Sequence, residues 1–275
     1  MSAEEHLKAG DISAAYADLT AQIRKSPADA KLRVFLFQML CVQGEWKRAL
    51  TQLNVVGEMD PMALPMVQSY REAIACEIFR EAVFAGQKAP MVFGAPEQWV
   101  ALMIQALKPL ADGNSEQAAD MRAEAFESAP ASSGTADGKA FDWIADADMR
   151  LGPVCEIIMN GHYYWAPYST IARLKFDDPV DLRDRVWTPA EITWANGGEV
   201  VAFIPTRYPG APASGEDALM LSAETTWSDA GNETFVGAGQ RLLTTDADDL
   251  PLMDIREILL DNKVDAPTGD ADGAG

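Results

Sequence analysis

Thirty-four residues separate Gly10 from Gly44, Ala15 from Ala49, Leu19 from Leu53 and Pro27 from Pro61. A phased set at this period restricts the start of the chain to stacked helix pairs, because each pair buries its apolar face only against a neighbour. The residue types suit that geometry. Glycine ends one helix in a left-handed conformation, a small alanine lets the next helix approach closely, and proline opens the following unit. Gly113, Ala118 and Pro130 repeat the same offsets, with Arg122 standing where the third leucine would fall. Gly44 and Gly113 are 69 residues apart, one more than two periods, so the intervening unit has diverged. A bundle with coincidental glycines is the alternative, and three phased sets favour the array. Such arrays bind other proteins and seldom do chemistry.

Helix signals run through the first half. Ser2 with Glu5 has the pattern of a capping box. Leu7, Ile12, Ala15, Leu19 and Ile23 continue an apolar stripe interrupted near Gly10. Residues 31–43 (KLRVFLFQMLCVQ) are too apolar for an exposed helix and are expected between neighbours. Further helices are predicted over 45–58, 66–85 and 97–110. The expected fold is α+β: a TPR-like helical repeat over 1–130, a flexible small-residue linker over 131–139 (ASSGTADGK) and a smaller β-rich domain over 140–262. A disordered acidic tail is expected over 263–275.

In the second half the segments 153–159, 162–166 and 171–176 read as strands. Asn196-Gly197-Gly198 reads as a hairpin turn between strands over 191–195 and 199–205. Residues 188–191 could cap one helical turn, residues 219–222 and 234–236 are expected as strands, and 250–260 as a closing helix.

The net charge of −20 is uneven, −5 over residues 1–139 and −15 over 140–275. An acidic surface argues against nucleic acid and anionic membranes, both of which need clustered cations. Cys41, Cys76 and Cys155 lack metal-ligand spacing and are odd in number, so buried free thiols are expected. Without a signal-like N-terminus or a spanning apolar run, a cytoplasmic location is expected.

No phosphate-binding glycine loop, nucleophile elbow or zinc motif occurs, and neither metal nor cofactor is expected. Of two histidines, His6 lies at the N-terminus and His162 in a turn beside aromatic rings, where packing is favoured over catalysis. Asp146 with Asp148 is the best carboxylate pair, followed by Asp177 with Asp178 and Asp181 with Asp184. Hydrolysis assisted by a cation is a minor reading, because Arg150, Arg173, Arg183 and Arg185 are at hand to neutralise them.

The strings DADMRLGPVCEIIMNGHYYWAPYSTIARL, RDRVWTPAEI, VVAFIPTRYPG, TTW and GAGQRLL occur in this order across residues 140–260. They resemble the ImpE family, also called SciE-type or TagJ, accessory proteins of bacterial type VI secretion. One departure is that Leu221 is followed by Ser222, Ala223 and Glu224 where the family pattern has Gly-Arg. The resemblance implies a non-enzymatic cytoplasmic factor that binds the small subunit of the contractile sheath and the ClpV-type AAA+ ATPase. Most of the rings of Trp165, Trp187, Trp194, Trp227, Tyr163, Tyr164, Tyr168 and Tyr208 are expected to fill the core of the second half, with a minority exposed as anchors. Within these strings Trp165, Tyr168, Arg183, Asp184, Trp187, Tyr208, Trp227, Gln240 and Arg241 are the candidate partner contacts. A groove of the helical array, or the segment from Ser2 to Lys8, would supply helix-in-groove docking. An adaptor or holding chaperone outside secretion is the alternative.

Overall fold

The computed structural model describes residues 2–95 and 97–262. Seven helices come first: α1 (Ala3–Lys8), α2 (Ile12–Lys25), α3 (Ala30–Val42), α4 (Trp46–Met59), α5 (Leu64–Phe84), α6 (Gln98–Ala111) and α7 (Ser115–Ser128), with α8 (Asp217–Met220) later in the chain. Ser2 and Glu5 close the predicted capping box, and Asp11, Asp29 and Asn114 cap α2, α3 and α7 through their side chains. Gly10, Gly44, Gly86 and Gly113 all take positive φ at helix ends. Ala15, Ala49 and Ala118 are fully buried, as are Leu19 and Leu53, and each helix packs on the next along the chain. The prolines are less uniform. Pro61 starts a 3-10 turn, Pro27 precedes the cap of α3, and Pro130 leads out of α7 towards the sheet.

Fourteen strands are described: β1 (Met91–Val92), β2 (Gly134–Ala136), β3 (Lys139–Phe141), β4 (Ile144–Asp146), β5 (Val154–Met159), β6 (His162–Pro167), β7 (Ile171–Phe176), β8 (Trp187–Trp194), β9 (Glu199–Pro205), β10 (Thr225–Asp229), β11 (Phe235–Gly239), β12 (Leu242–Thr245), β13 (Asp249–Pro251) and β14 (Glu257–Leu260). Nine form one sheet in the order β1-β6-β5-β9-β8-β7-β14-β2-β3, antiparallel except for the β1–β6 pair. β13, β12 and β4 make a three-stranded sheet, and β10 with β11 a separate ribbon. The central strand β5 is buried along its whole length. Its Val154 and Ile158 join the helices in one apolar core, while Cys155, Ile157 and Met159 join a second core on the other face. Helices and sheet therefore share a core, and β5 lies between the two cores.

Several sequence expectations are corrected. The 131–139 segment is no flexible linker: β2 pairs with β14, and Asp137-Gly138 takes φ of 46° and 81°, the positive pair of a tight hairpin leading into β3. Residues 250–260 form β13, a 3-10 turn and β14 in place of a helix. β14 fills the space between β7 and β2, with Ile258 and Leu260 buried and Leu259 exposed, a period of two. Residues 188–191 belong to β8 and are no helical turn; Pro189 is tolerated because there β8 has only β9 beside it. Residues 219–222 end the helical turn α8 and are no strand. The predicted hairpin at Asn196-Gly197-Gly198 joins β8 to β9. The expected tail over 263–275 lies outside the described residues.

Candidate partner-binding groove and buried ion-pair network

α3 is apolar nearly all round, yet only its second half is covered. From Leu36 to Val42 every residue is buried, whereas Leu32, Val34 and Phe35 are half-buried and form the floor of an open groove of about 1100 Å³. Leu7 and Lys8 of α1 line one side, with Val56 of α4 and the chain from Pro179 to Leu182 also lining it. Two large apolar side chains near the groove face solvent. Val180, which lines it, is 89% exposed, and Met62, between the lining residues Asp60 and Ala63, is 88% exposed. The Val180 loop is held firmly. The Asp184 carboxylate accepts the backbone N–H groups of Val180 and Asp181, each at 2.8 Å, and completes a capping box with Asp181.

Behind the groove, helices and sheet are tied by buried charges. The Glu156 carboxylate on β5 accepts from Arg80 Nε of α5 at 2.6 Å and Arg80 Nη2 at 2.8 Å, a bidentate pair. Arg241 and the Tyr163 hydroxyl also donate to Glu156, and Arg241 bridges onward to Asp146. Burial opposes ionisation of Glu156, but Arg80 and Arg241 more than reverse this and bring its pKa down to about 2. Asp146 shares a single arginine, so burial prevails and its pKa rises to about 6. Glu77, fully buried and accepting from Trp187 Nε1 at 3.1 Å, is likewise pushed up by burial. Arg207 donates to the carbonyls of Cys41 and Val42 at the end of α3 and of Met220 at the end of α8. It thereby adds a charged donor at helix-end carbonyls, of which that of Cys41 also accepts the Gly44 N–H.

This network redistributes the residues expected to touch a partner. Trp165, Trp187, Tyr168, Tyr208 and Arg241 are no more than 2% exposed. They are corrected to core residues: Trp165 Nε1 donates to the Tyr163 hydroxyl, and Tyr208 donates to Asp146. Gln240 is a staple, donating to the Ser222 carbonyl and accepting from Met253 N–H. Asp184 is buried and organises the Val180 loop, while Arg183 pairs with Asp181 and lies 4.6 Å from the Tyr70 ring centre. Of the expected aromatic contacts only Trp227 is well exposed, at 39%, with its ring over Tyr208. Leu32, Phe35, Met62 and Val180 belong to no motif. The excess apolarity of α3 signalled Leu32 and Phe35, and Met62 and Val180, outside α3, had no such signal.

The carboxylates of Asp146 and Asp148 are held by Arg241 and Arg150. Among the described residues no three His, Cys, Asp or Glu side chains gather to hold a metal ion. His162 is exposed, its Nδ1 2.8 Å from the Asn160 carbonyl. Cys41, Cys76 and Cys155 are free and buried, and burial pushes the Cys76 and Cys155 thiols up to about 12. No helix among the described residues is long and apolar enough to cross a membrane.

A helical array fused through a shared core to a sheet that is antiparallel but for one strand pair, with an open apolar groove lined largely by the helices, defines a mixed α+β class of fold. Its relatives specify the class further. An "ImpE protein" family profile matches residues 138–259. The type VI secretion system accessory component TagJ of Pseudomonas aeruginosa is 49% identical over 258 residues, covering 94% of this chain and 90% of that protein. The crystal structure of protein VPA1032 from Vibrio parahaemolyticus superposes with a TM-score of 0.86 at 25% identity, covering 94% and 97% of the two chains. The chain belongs to the ImpE/TagJ family of type VI secretion accessory proteins.

Proposed function

We propose that the chain is a non-enzymatic cytoplasmic adaptor of type VI secretion whose α3 groove receives an amphipathic helix. Its partners in this reading are the small contractile-sheath subunit and the ClpV-type AAA+ ATPase. The observation that carries it is the uncovered apolar half of α3, flanked by the exposed Val180 and Met62. An apolar face of this kind is the usual floor for a helix read through residues three and four apart. A bound segment of about 3 turns would span about 16 Å.

The test is calorimetric titration with the purified sheath small subunit and with the ATPase N-terminal domain. The Val180→Asp variant alters an exposed side chain and leaves the fold intact, and it is expected to weaken binding at least about tenfold. Phe35→Asp on the floor is expected to abolish it. Binding to neither partner, or binding indifferent to both substitutions, refutes the reading.

A further inference from the structure

A second apolar groove lies where α7 meets the sheet and shares no residue with the first. Its volume is about 360 Å³, and Phe126, Pro130, Trp143, Ile144, Met149 and Pro153 supply most of its wall. Trp143 and Phe126 are 39% and 37% exposed, leaving two aromatic rings part-open to solvent. The walls are fixed in place. Gly152 takes φ of 52°, and a Cβ there would stand 2.5 Å from the Phe126 ring, so only glycine lets that ring settle over the backbone. The backbone N–H groups of Asp142 and Trp143 are both held by the Asp246 carboxylate.

The chain next to the lining residues is acidic. Glu127 follows Phe126, Asp142 precedes Trp143, Asp246 and Asp248 occupy the turn after β12, and Asp249 opens β13; all five are exposed. Lys139 faces them, 3.4 Å from Asp248. Arg150, the nearest cation in sequence to Met149, is engaged by Asp148. Of the lining residues only Asp146 is ionisable, and Arg241 holds it.

An apolar cleft whose two part-open rings, Phe126 and Trp143, stand beside the exposed carboxylates of Glu127, Asp142 and Asp246 selects for opposite charge around a bulky apolar group. A second copy of this chain, itself carrying a net charge of −20, would meet repulsion there. The chain's own residues 263–275, with Asp265, Asp270 and Asp272 against Lys263, would meet it too. We propose that this groove binds a protein segment in which a bulky apolar side chain is flanked by lysines or arginines. It uses neither the α3 groove nor its occupant, and gives the chain a second docking surface of different chemistry.

The test uses the full chain and a fluorescein-labelled peptide with two leucines between two pairs of lysines, followed by fluorescence anisotropy. The peptide is expected to bind at least about tenfold tighter than versions with serine for leucine or glutamate for lysine. Trp143→Ser is expected to weaken it about tenfold, and Glu127→Gln with Asp142→Asn about threefold with a flatter salt dependence. Phe35→Asp in the other groove is expected to leave it unchanged, so failure here is distinct from failure of the α3 reading. Circular dichroism of each variant verifies the fold. The proposal is overturned by no binding, by equal binding of either control peptide, or by insensitivity to Trp143→Ser. It is equally overturned if binding needs removal of residues 263–275, or if the groove proves to be a self-association face sensitive to Trp143→Ser.

Discussion

Glu156→Gln removes the carboxylate that ties Arg80 of the helical half and Arg241 of the sheet half to the central strand β5. Arg80 comes from α5 and Arg241 from the chain after β11, and both converge on a side chain with no exposure. Two independent routes set the magnitude. Lowering a carboxyl pKa from 4.5 to about 2 on folding is worth about 3 kcal/mol at neutral pH. Breaking one side of a buried ion pair generally costs about 3–5 kcal/mol, because it leaves uncompensated charge behind. For a chain of this size, a loss of about 3 kcal/mol lowers Tm by roughly 10 °C. The assay is urea unfolding followed by circular dichroism, together with calorimetry, from pH 7 down to pH 2.5. The folded pKa is depressed, so its contribution is fully present above pH 4.5 and is lost as pH falls towards 2. The difference between wild type and variant must therefore shrink over that window. A loss below about 1 kcal/mol at pH 7 would refute the coupling role. So would a loss unchanged at low pH, which would point to a steric defect of glutamine in place of a missing charge.

Asp146 should behave with the opposite sign. Its pKa rises on folding from 3.8 to about 6, so the folded state holds the extra proton and ionisation costs stability as pH climbs through that window; Asp146→Asn should flatten the unfolding free energy measured between pH 4 and 6.5 by about 3 kcal/mol. Gly44→Ala should lose about 2 kcal/mol in urea unfolding, because φ is 71° and the new Cβ would stand 2.6 Å from Pro212, between the helices and the sheet half. Arg122→Leu should gain about 1 kcal/mol in the same assay. It restores the leucine of the repeat and removes a buried guanidinium whose Nε and Nη1 have no hydrogen-bond partner among the described residues.

The helical half was legible because its signals are local. Glycines that must adopt positive φ, side-chain caps and small residues at close approaches act within a few positions, and the 34-residue phase reads them out. Arg122 illustrates where the phase breaks for a reason: it sits where α7 leaves the array and donates to Thr234, next to β11. The second half was harder because its pairings are distant. β14 is a strand only because β7 and β2, roughly a hundred residues away, leave a gap for it, and nothing within Leu250–Leu260 states that. The 131–139 segment misled through its small polar composition, although Asp137-Gly138 carried a hairpin signal.

The candidate sites were legible least of all, and the reason is chemical. A tryptophan in a string shared across a family is equally suited to filling a core and to anchoring a partner. Here Trp165 and Trp187 fill the core, because the Tyr163 hydroxyl, two residues earlier on β6, and the buried Glu77 carboxylate on α5 satisfy their indole N–H groups. Val180 and Met62 carry no motif, since presenting a methyl group to solvent requires only a rigid backbone beneath it. The shared polar residues make that backbone rigid at a distance: Asp184 fixes the loop that displays Val180, and Gly152 admits the ring of Phe126. The strings that carry the resemblance thus build the frame, and Val180, Met62 and Trp143 stand exposed at its edges. On the proposed reading, exchanging the residues at 62, 143 and 180 between family members should therefore transfer partner preference in the titration and anisotropy assays, and unchanged preference would refute it.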